Sequence, residues 1–202
     1  GLHQIVVAVG AGVELGVRRR ARRRDVVAGV AVVDDDVVRA GDEVAAVIVE
    51  PIVQGAGGMR IHPPSFLRGV RSATRTRGLP LVADEIFTGF GRTGRMFACE
   101  HAGIAPDLLC LSKGLTGGYL PLAATLASEE IYAAFLSEER GRAFFHGHSY
   151  TANALACAVA RASLALFAET NCLGRIAELQ RLFARRLAVI SALPGVARVR
   201  GI

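Results

Sequence analysis

One lysine, Lys113, stands among 24 basic residues in a chain of 202, and every other basic residue is an arginine. A GC-rich coding sequence favours arginine wherever a bare surface charge suffices. A lysine that persists is therefore either a chance survivor on a solvated face or a residue whose amine is used, because a guanidinium does not deprotonate in a protein and cannot replace it. Two carboxylates share its setting. Glu50, Asp84 and Lys113 each follow, directly or nearly so, a short apolar run: Val44 to Val49, Leu79 to Ala83 and Leu108 to Leu111. An acid and an amine meeting in one cleft form either a structural ion pair or a pyridoxal phosphate site. In such a site a lysine holds the cofactor as a Schiff base, and a carboxylate keeps the pyridine nitrogen protonated so that the ring can accept the electrons of a broken Cα–H bond.

The elements that must position these residues are those of an α/β chain. Continuous apolar runs of this length, bounded by turn residues, read as buried parallel strands. In an open parallel sheet the ligand crevice lies beyond the carboxyl ends of the strands, so Glu50, Asp84 and Lys113 are expected to converge there. Between the first two strands, Pro63 and Pro64 suit a first helical turn. Phe66, Leu67 and Val70 form the inner face, Arg68, Arg71, Arg75 and Arg77 point mostly outward, and Gly78 is the stop. Leu122 to Ala127 reads as a further strand and Asn153 to Ala168 as a long, largely buried helix. Leu173, Ile176, Leu179, Leu182, Phe183, Leu187 and Ile190 mark an amphipathic helix. A turn at Leu193 to Gly195 then leads into an expected strand over Val196 to Ile202.

Residues 1 to 43 differ in kind. Valine, alanine, arginine and glycine dominate them, and Pro, Ser, Thr, Asn and aromatics are absent. Short valine stretches between Gly10, Gly12, Gly16 and Gly29 suggest strands, and Asp34 to Asp36 a turn, yet no period runs cleanly through the segment. It reads as divergent and of low complexity, even as a mistranslated remnant. It also holds Arg18, Arg19, Arg20, Arg22, Arg23 and Arg24, six of the positive charges behind the net charge of +6. Without them basic and acidic residues balance, so the basic character is local. Lacking interleaved aromatics, the cluster is weak support for nucleic-acid binding. No apolar run approaches the length of a membrane span, and a cytoplasmic protein without membrane contact is expected. Cys99, Cys110, Cys157 and Cys172 show no C-x-x-C spacing and read as reduced, mostly buried thiols. No metal site is expected: His146 and His148 have no third ligand spaced to join them.

Gly89, Gly91 and Gly94 formally spell a dinucleotide fingerprint, G-F-G-R-T-G. That motif needs a helix opening on it and an acid about twenty residues on, and neither is present. The glycines are read as a tight loop. Five blocks then carry a family resemblance: E-P-I-V-Q-G-A-G-G (Glu50 to Gly58), D-E-I-F-T-G-F-G-R-T-G (Asp84 to Gly94), A-P-D (Ala105 to Asp107), S-K-G-L-T-G-G (Ser112 to Gly118) and H-G-H-S-Y-T-A-N (His146 to Asn153). In order and spacing they resemble the class III, fold-type I, pyridoxal-phosphate aminotransferases. Within the class, F-A-C-E-H-A (Phe97 to Ala102), the residues following Lys113 and the H-G-H-S-Y block resemble the branch that passes an amino group from S-adenosylmethionine to 8-amino-7-oxononanoate in biotin synthesis.

The resemblance implies a fold-type I large domain over residues 44 to 168, incomplete, and the start of a small C-terminal domain over 169 to 202. It makes Lys113 the Schiff-base lysine and proton shuttle, and Asp84 the pyridinium partner. His148 and Ser149 would bind the cofactor phosphate of a neighbouring subunit, implying a homodimer. Gly147, Lys113 and Arg92 would border the substrate. Arg92 is equally readable as a solvated loop residue, His146 and His148 as loop histidines without a role, and Glu50 either braces the cofactor pocket with Gln54 or caps a strand end. Ala56 occupies the position where ornithine and 4-aminobutyrate aminotransferases carry a glutamate, which argues against those specificities. The glycine/serine phosphate loop and ring-stacking aromatic of the family have no counterpart in residues 1 to 45, and the family's C-terminal substrate arginine would lie past Ile202. The alternatives are another class III omega-aminotransferase and a catalytically dead fragment or oligomerisation partner.

Overall fold

The computed structural model describes residues 2–8, 25–28 and 44–202. The arginine cluster Arg18 to Arg24 and the turn expected at Asp34 to Asp36 lie outside the described residues. Among the described residues eight strands run in chain order: β1 Leu2–Ala8, β2 Asp25–Ala28, β3 Val44–Val49, β4 Val53–Gln54, β5 Arg60–Ile61, β6 Leu81–Asp84, β7 Leu108–Leu111 and β8 Ala123–Ser128. Six of them form one sheet in the order β1-β8-β7-β6-β3-β2. The pairs β2–β3, β3–β6 and β6–β7 are parallel, whereas β8 runs antiparallel to both β7 and β1. The small hairpin β4–β5 stands apart and holds the glycine-rich turn after Glu50.

Strand composition explains the sheet's interior. Val44, Val47, Val49, Leu81, Ala83, Leu109 and Leu111 are buried in one core, as continuous apolar strands covered on both faces require. Helix α1, Pro64–Thr76, begins with proline at its first position and buries Leu67, Val70 and Thr74 against this core. It ends where Gly78 takes φ +63° and the Leu79 amide turns back to the Thr74 carbonyl at 2.9 Å. Helix α2 is Glu129–Ala133, with Ser128 as its cap. Helix α3, Ala154–Glu169, is capped by Asn153, whose carboxamide oxygen accepts from the Leu155 and Ala156 amides. Helix α4, Cys172–Ser191, follows directly.

Three expectations are corrected. Helix α3 is not largely buried: only Ala156 and Ala160 are, because its larger apolar residues Leu155, Leu164 and Leu166 face outward. Residues 196–202 form no strand, since no neighbouring strand offers them a ladder. Arg71 is not an outward arginine. Its guanidinium turns inward to grip Asp107 in a bidentate pair, with one bond of 2.9 Å, at 12% side-chain exposure. Of the cysteines, all free, Cys99 alone is fully buried.

The Arg71–Asp107 pair joins elements that are distant in sequence. Asp107 also accepts the Leu81 amide at 2.7 Å, its own amide donates to the Leu81 carbonyl, and its carbonyl accepts from Ser128. Helix α1 and strands β6, β7 and β8 are thereby fastened at one point. Burial raises the Asp107 carboxyl, but the hydrogen bonds from Arg71 and Leu81 and the charges of Arg71 and Arg75 outweigh it, leaving the pKa below its ordinary 3.8. A lowered carboxylate pKa contributes stability that is complete above the unfolded value and is lost as pH falls through the folded one. We expect Asp107→Asn to lower unfolding free energy near neutral pH by about 1–3 kcal/mol in urea titrations, with the gap to the parent chain narrowing below about pH 4.

Candidate active site

Parallel pairing sets the positions of the three chemical residues. Val49 of β3 lies opposite Ala83 of β6, and Asp84 lies opposite Cys110 of β7. Glu50, Asp84 and Lys113 therefore leave three adjacent strands at the same carboxyl edge, with neighbouring strands about 4.8 Å apart. Three loops follow, and each contains a non-glycine residue in the left-handed region: Ile52 at φ +66°, Phe90 at +58° and Lys113 at +43°. Such conformations cost of order 1–3 kcal/mol each and persist where surrounding contacts over-determine them, as at functional sites.

Those contacts are visible. The loop after β6 is anchored by Glu85, which is fully buried. Its carboxylate accepts from the Ala98 amide at 2.7 Å, the Cys99 amide at 2.8 Å and the Thr88 hydroxyl at 3.0 Å. A buried charge with three donors is satisfied without a counter-ion. Those amides begin the 3-10 turn Ala98–His101, so the F-A-C-E-H-A block is a docking point for Glu85. Burial, and then the Glu85 charge, push the Cys99 thiol far above its ordinary range.

Two phenylalanines of the same loop rest on its neighbours. Phe87 lies against Gly55 of the first loop, where an added Cβ would come within 3.2 Å of its ring. Phe90 lies against Gly114, where an added Cβ would come within 2.8 Å. On its other side the loop meets α4: a Cβ at Gly91 would strike Ile176 at 2.5 Å, and one at Gly94 would strike Gln180. The glycines of G-F-G-R-T-G thus permit close approach within a tight loop, and no helix opens on them.

Asp84 is half-buried, and its Oδ1 accepts the Ile86 amide at 3.0 Å. No hydrogen bond to its Oδ2 is made among the described residues. Burial raises the neighbouring Cys110 thiol, with the Asp84 charge adding to the rise and a Thr125 hydrogen bond opposing it. Lys113 is exposed and begins the 3-10 turn Lys113–Thr116, held by the Ser112 hydroxyl on the Leu122 carbonyl and the Thr116 hydroxyl on the Leu120 carbonyl, both 2.7 Å. Among the described residues no ion pair joins Lys113 to Asp84 or Glu50. Glu50 accepts the Gly55 amide at 2.8 Å through its side chain and caps the first loop. Arg92, exposed, folds back on Phe87: its Nε donates to the Phe87 carbonyl at 2.8 Å and its Cζ lies 4.7 Å from the ring centroid.

The structure does not bring the H-G-H-S-Y loop to these residues. Gly147, His148 and Ser149 are exposed, His148 Nδ1 accepts from the Tyr150 amide at 3.2 Å, and no hydrogen bond links them to Asp84 or Lys113 among the described residues. Sequence reading passed over Glu85, Phe87 and Phe90. Their signal was an acid directly behind Asp84 and two aromatics three residues apart inside a glycine run. Among the described residues no cluster could hold a metal, and no helix is long and apolar enough to cross a membrane.

Among the described residues Lys113 makes no ion pair and one Asp84 oxygen accepts no hydrogen bond, and an amine and a carboxylate leaving the same edge of a mostly parallel sheet are a donor set that suits pyridoxal phosphate. Fold and site together define a fold-type I transferase of the pyridoxal-phosphate class. The chain belongs to the aminotransferase class-III family, whose model matches residues 21–202. It is 52% identical over 161 residues to the adenosylmethionine-8-amino-7-oxononanoate aminotransferase of Nitratidesulfovibrio vulgaris, covering 79% of this chain and 30% of that protein. The enzyme of the same name from Synechococcus elongatus is 51% identical over 166 residues, covering 82% of this chain and 38% of that protein. Among solved structures, that enzyme from Methanocaldococcus jannaschii matches with a TM-score of 0.77 at 42% identity, covering 82% of this chain and 39% of the other. A pyridoxal-phosphate-bound amine transaminase from an uncultivated Pseudomonas species matches at 0.76 and 35% identity, covering 84% and 38%. The chain spans about a third of the length of the curated relatives it matches.

The Phe90–Gly114 contact is testable through stability. Gly114→Ala should lower it by about 1–3 kcal/mol in denaturant titration, because the neighbour is backbone-near and cannot swing aside. Gly69→Ala on the open face of α1, where nothing lies within 4 Å, should raise it by about 0.5–1 kcal/mol.

Proposed function

We propose that this chain is part of a pyridoxal-phosphate aminotransferase that moves an amino group from S-adenosylmethionine to 8-amino-7-oxononanoate, giving 7,8-diaminononanoate for biotin synthesis. Curated relatives between 42% and 52% identical carry the name adenosylmethionine-8-amino-7-oxononanoate aminotransferase, which supports the substrate pair. The observation that carries the chemistry is Lys113 itself: the one lysine, held left-handed, exposed and without an ion pair among the described residues, one strand away from Asp84.

When bound, pyridoxal phosphate supplies an electron sink for the pair released from the substrate Cα–H bond. Asp84 would keep the pyridine nitrogen protonated through the oxygen that accepts no hydrogen bond among the described residues. Lys113 would hold the cofactor through Nζ and, once freed by the donor amine, its neutral Nζ would be the group that takes up and returns the proton of the substrate Cα. On the acceptor it moves the proton in the opposite sense. Arg92, exposed on the loop after β6, would be the group for a substrate carboxylate or nucleotide.

In this reading His148 and Ser149 bind the cofactor phosphate of a second subunit, so the working enzyme is a homodimer, and Gly147 borders the substrate. The exposure of His148 and Ser149 in the single chain and the resemblance of the H-G-H-S-Y block support that assignment. Four free cysteines favour the reducing cytoplasm as its compartment. The test is borohydride reduction after adding pyridoxal phosphate. A stable adduct should map to Lys113 and vanish in Lys113→Arg, and an adduct of equal yield in that variant would overturn the assignment. Asp84→Asn should retain the adduct while lowering amino transfer on the order of 10²–10⁴-fold, read as 7,8-diaminononanoate formed.

A further inference from the structure

The Phe87 ring lies beneath two cations. Lys113 Nζ is 5.3 Å from its centroid and Arg92 Cζ 4.7 Å, both within the roughly 6 Å over which a ring face attracts a positive charge. The ring is itself held in place. It sits against Gly55, packs on the cluster of Ile52, Val53 and Ala98, and its backbone carbonyl is tied by Arg92 Nε. No carboxylate pairs with Lys113 among the described residues, so the ring is the partner that the ammonium does have.

We propose that Phe87 is a positioning residue: its ring is the resting place of the Lys113 ammonium whenever no carbonyl compound holds the amine. This rests on the reading of Lys113 as the cofactor-bearing lysine. That role requires the side chain to be released and recaptured in each cycle. A released lysine with four rotatable carbons would otherwise scatter into solvent or fall onto a carboxylate, and an ion pair with Asp84 would disable both groups. An aromatic face offers a weaker hold, worth roughly a two- to fivefold preference in population at a partly exposed position. That is enough to keep the amine at the crevice and too little to compete with a covalent bond. Arg92 on the same ring limits the hold further, because two like charges drawn to one ring oppose each other.

The single lysine makes the idea measurable. Supplying the full chain with lysine labelled at Cε gives one side-chain signal. In the parent protein the ring current should place it upfield of free lysine, and this displacement should fade as alkaline pH neutralises the amine. Phe87→Leu should return the signal to the free position while Phe87→Tyr keeps it upfield. If Phe87→Leu does not fold by circular dichroism, Phe87→Met serves as the ringless variant. A signal already at the free position in the parent, or one unmoved by loss of the ring, would overturn the proposal. An upfield displacement that survives full deprotonation would also overturn it, since packing alone would then hold the side chain. Pyridoxal phosphate separates the two claims: it should shift the parent signal and yield a borohydride-stable adduct at Lys113. If it does neither while the ring-dependent displacement stands, the cofactor reading fails and the resting place does not.

Discussion

The loop after β6 bears on everything else at the sheet's carboxyl edge. Glu85 fixes its start by gathering three donors around a fully buried carboxylate. Phe87 and Phe90 then reach sideways onto Gly55 and Gly114. Because the glycines supply no Cβ, the rings occupy space that any other residue would fill, and the flanking loops cannot move independently of the central one. The strain at Ile52, Phe90 and Lys113 is sustained by these contacts. Lys113 and Asp84 therefore hold their relation through packing, with no ion pair between them among the described residues.

A second fastening lies away from the chemistry. Asp107 draws Arg71, the Leu81 amide and, through its own carbonyl, Ser128 to one point. It sets where β7 begins relative to β6, and so how far beyond Asp84 the chain runs before Lys113. The A-P-D block thus acts on register, although it lies on the strands' far side from the amine.

Much of this was legible because burial on both faces writes a simple pattern. The apolar runs ending at Val49 and Leu111 stand out, and the residues after them follow from parallel geometry. Asp84 and Lys113 are marked by residue type and spacing alone. Arg71 was misplaced because an arginine on an amphipathic helix is normally outward, and its partner lies 36 residues away. The direction of β8 is not written in its composition, since an antiparallel strand flanked on both sides carries the same apolar residues as a parallel one. The seats of Phe87 and Phe90 depend on glycines in other loops, which no local period reports. Helix α3 misled because alanine-rich sequence reads as buried whether or not a neighbour covers it.

The strand order also bears on how the sheet can form. From β2 through β3, β6 and β7 to β8, each strand pairs with the previous member of that same sheet in chain order. Loop closure for these steps spans only the intervening helix or loop, so the sheet can grow outward as the chain lengthens. Strand β1 is the exception: Leu2 pairs with Ser128, and Ala8 with Ala123. Among the described strands, the first can join only after β8 has been laid down, which makes the β1–β8 edge the last of these seams to close.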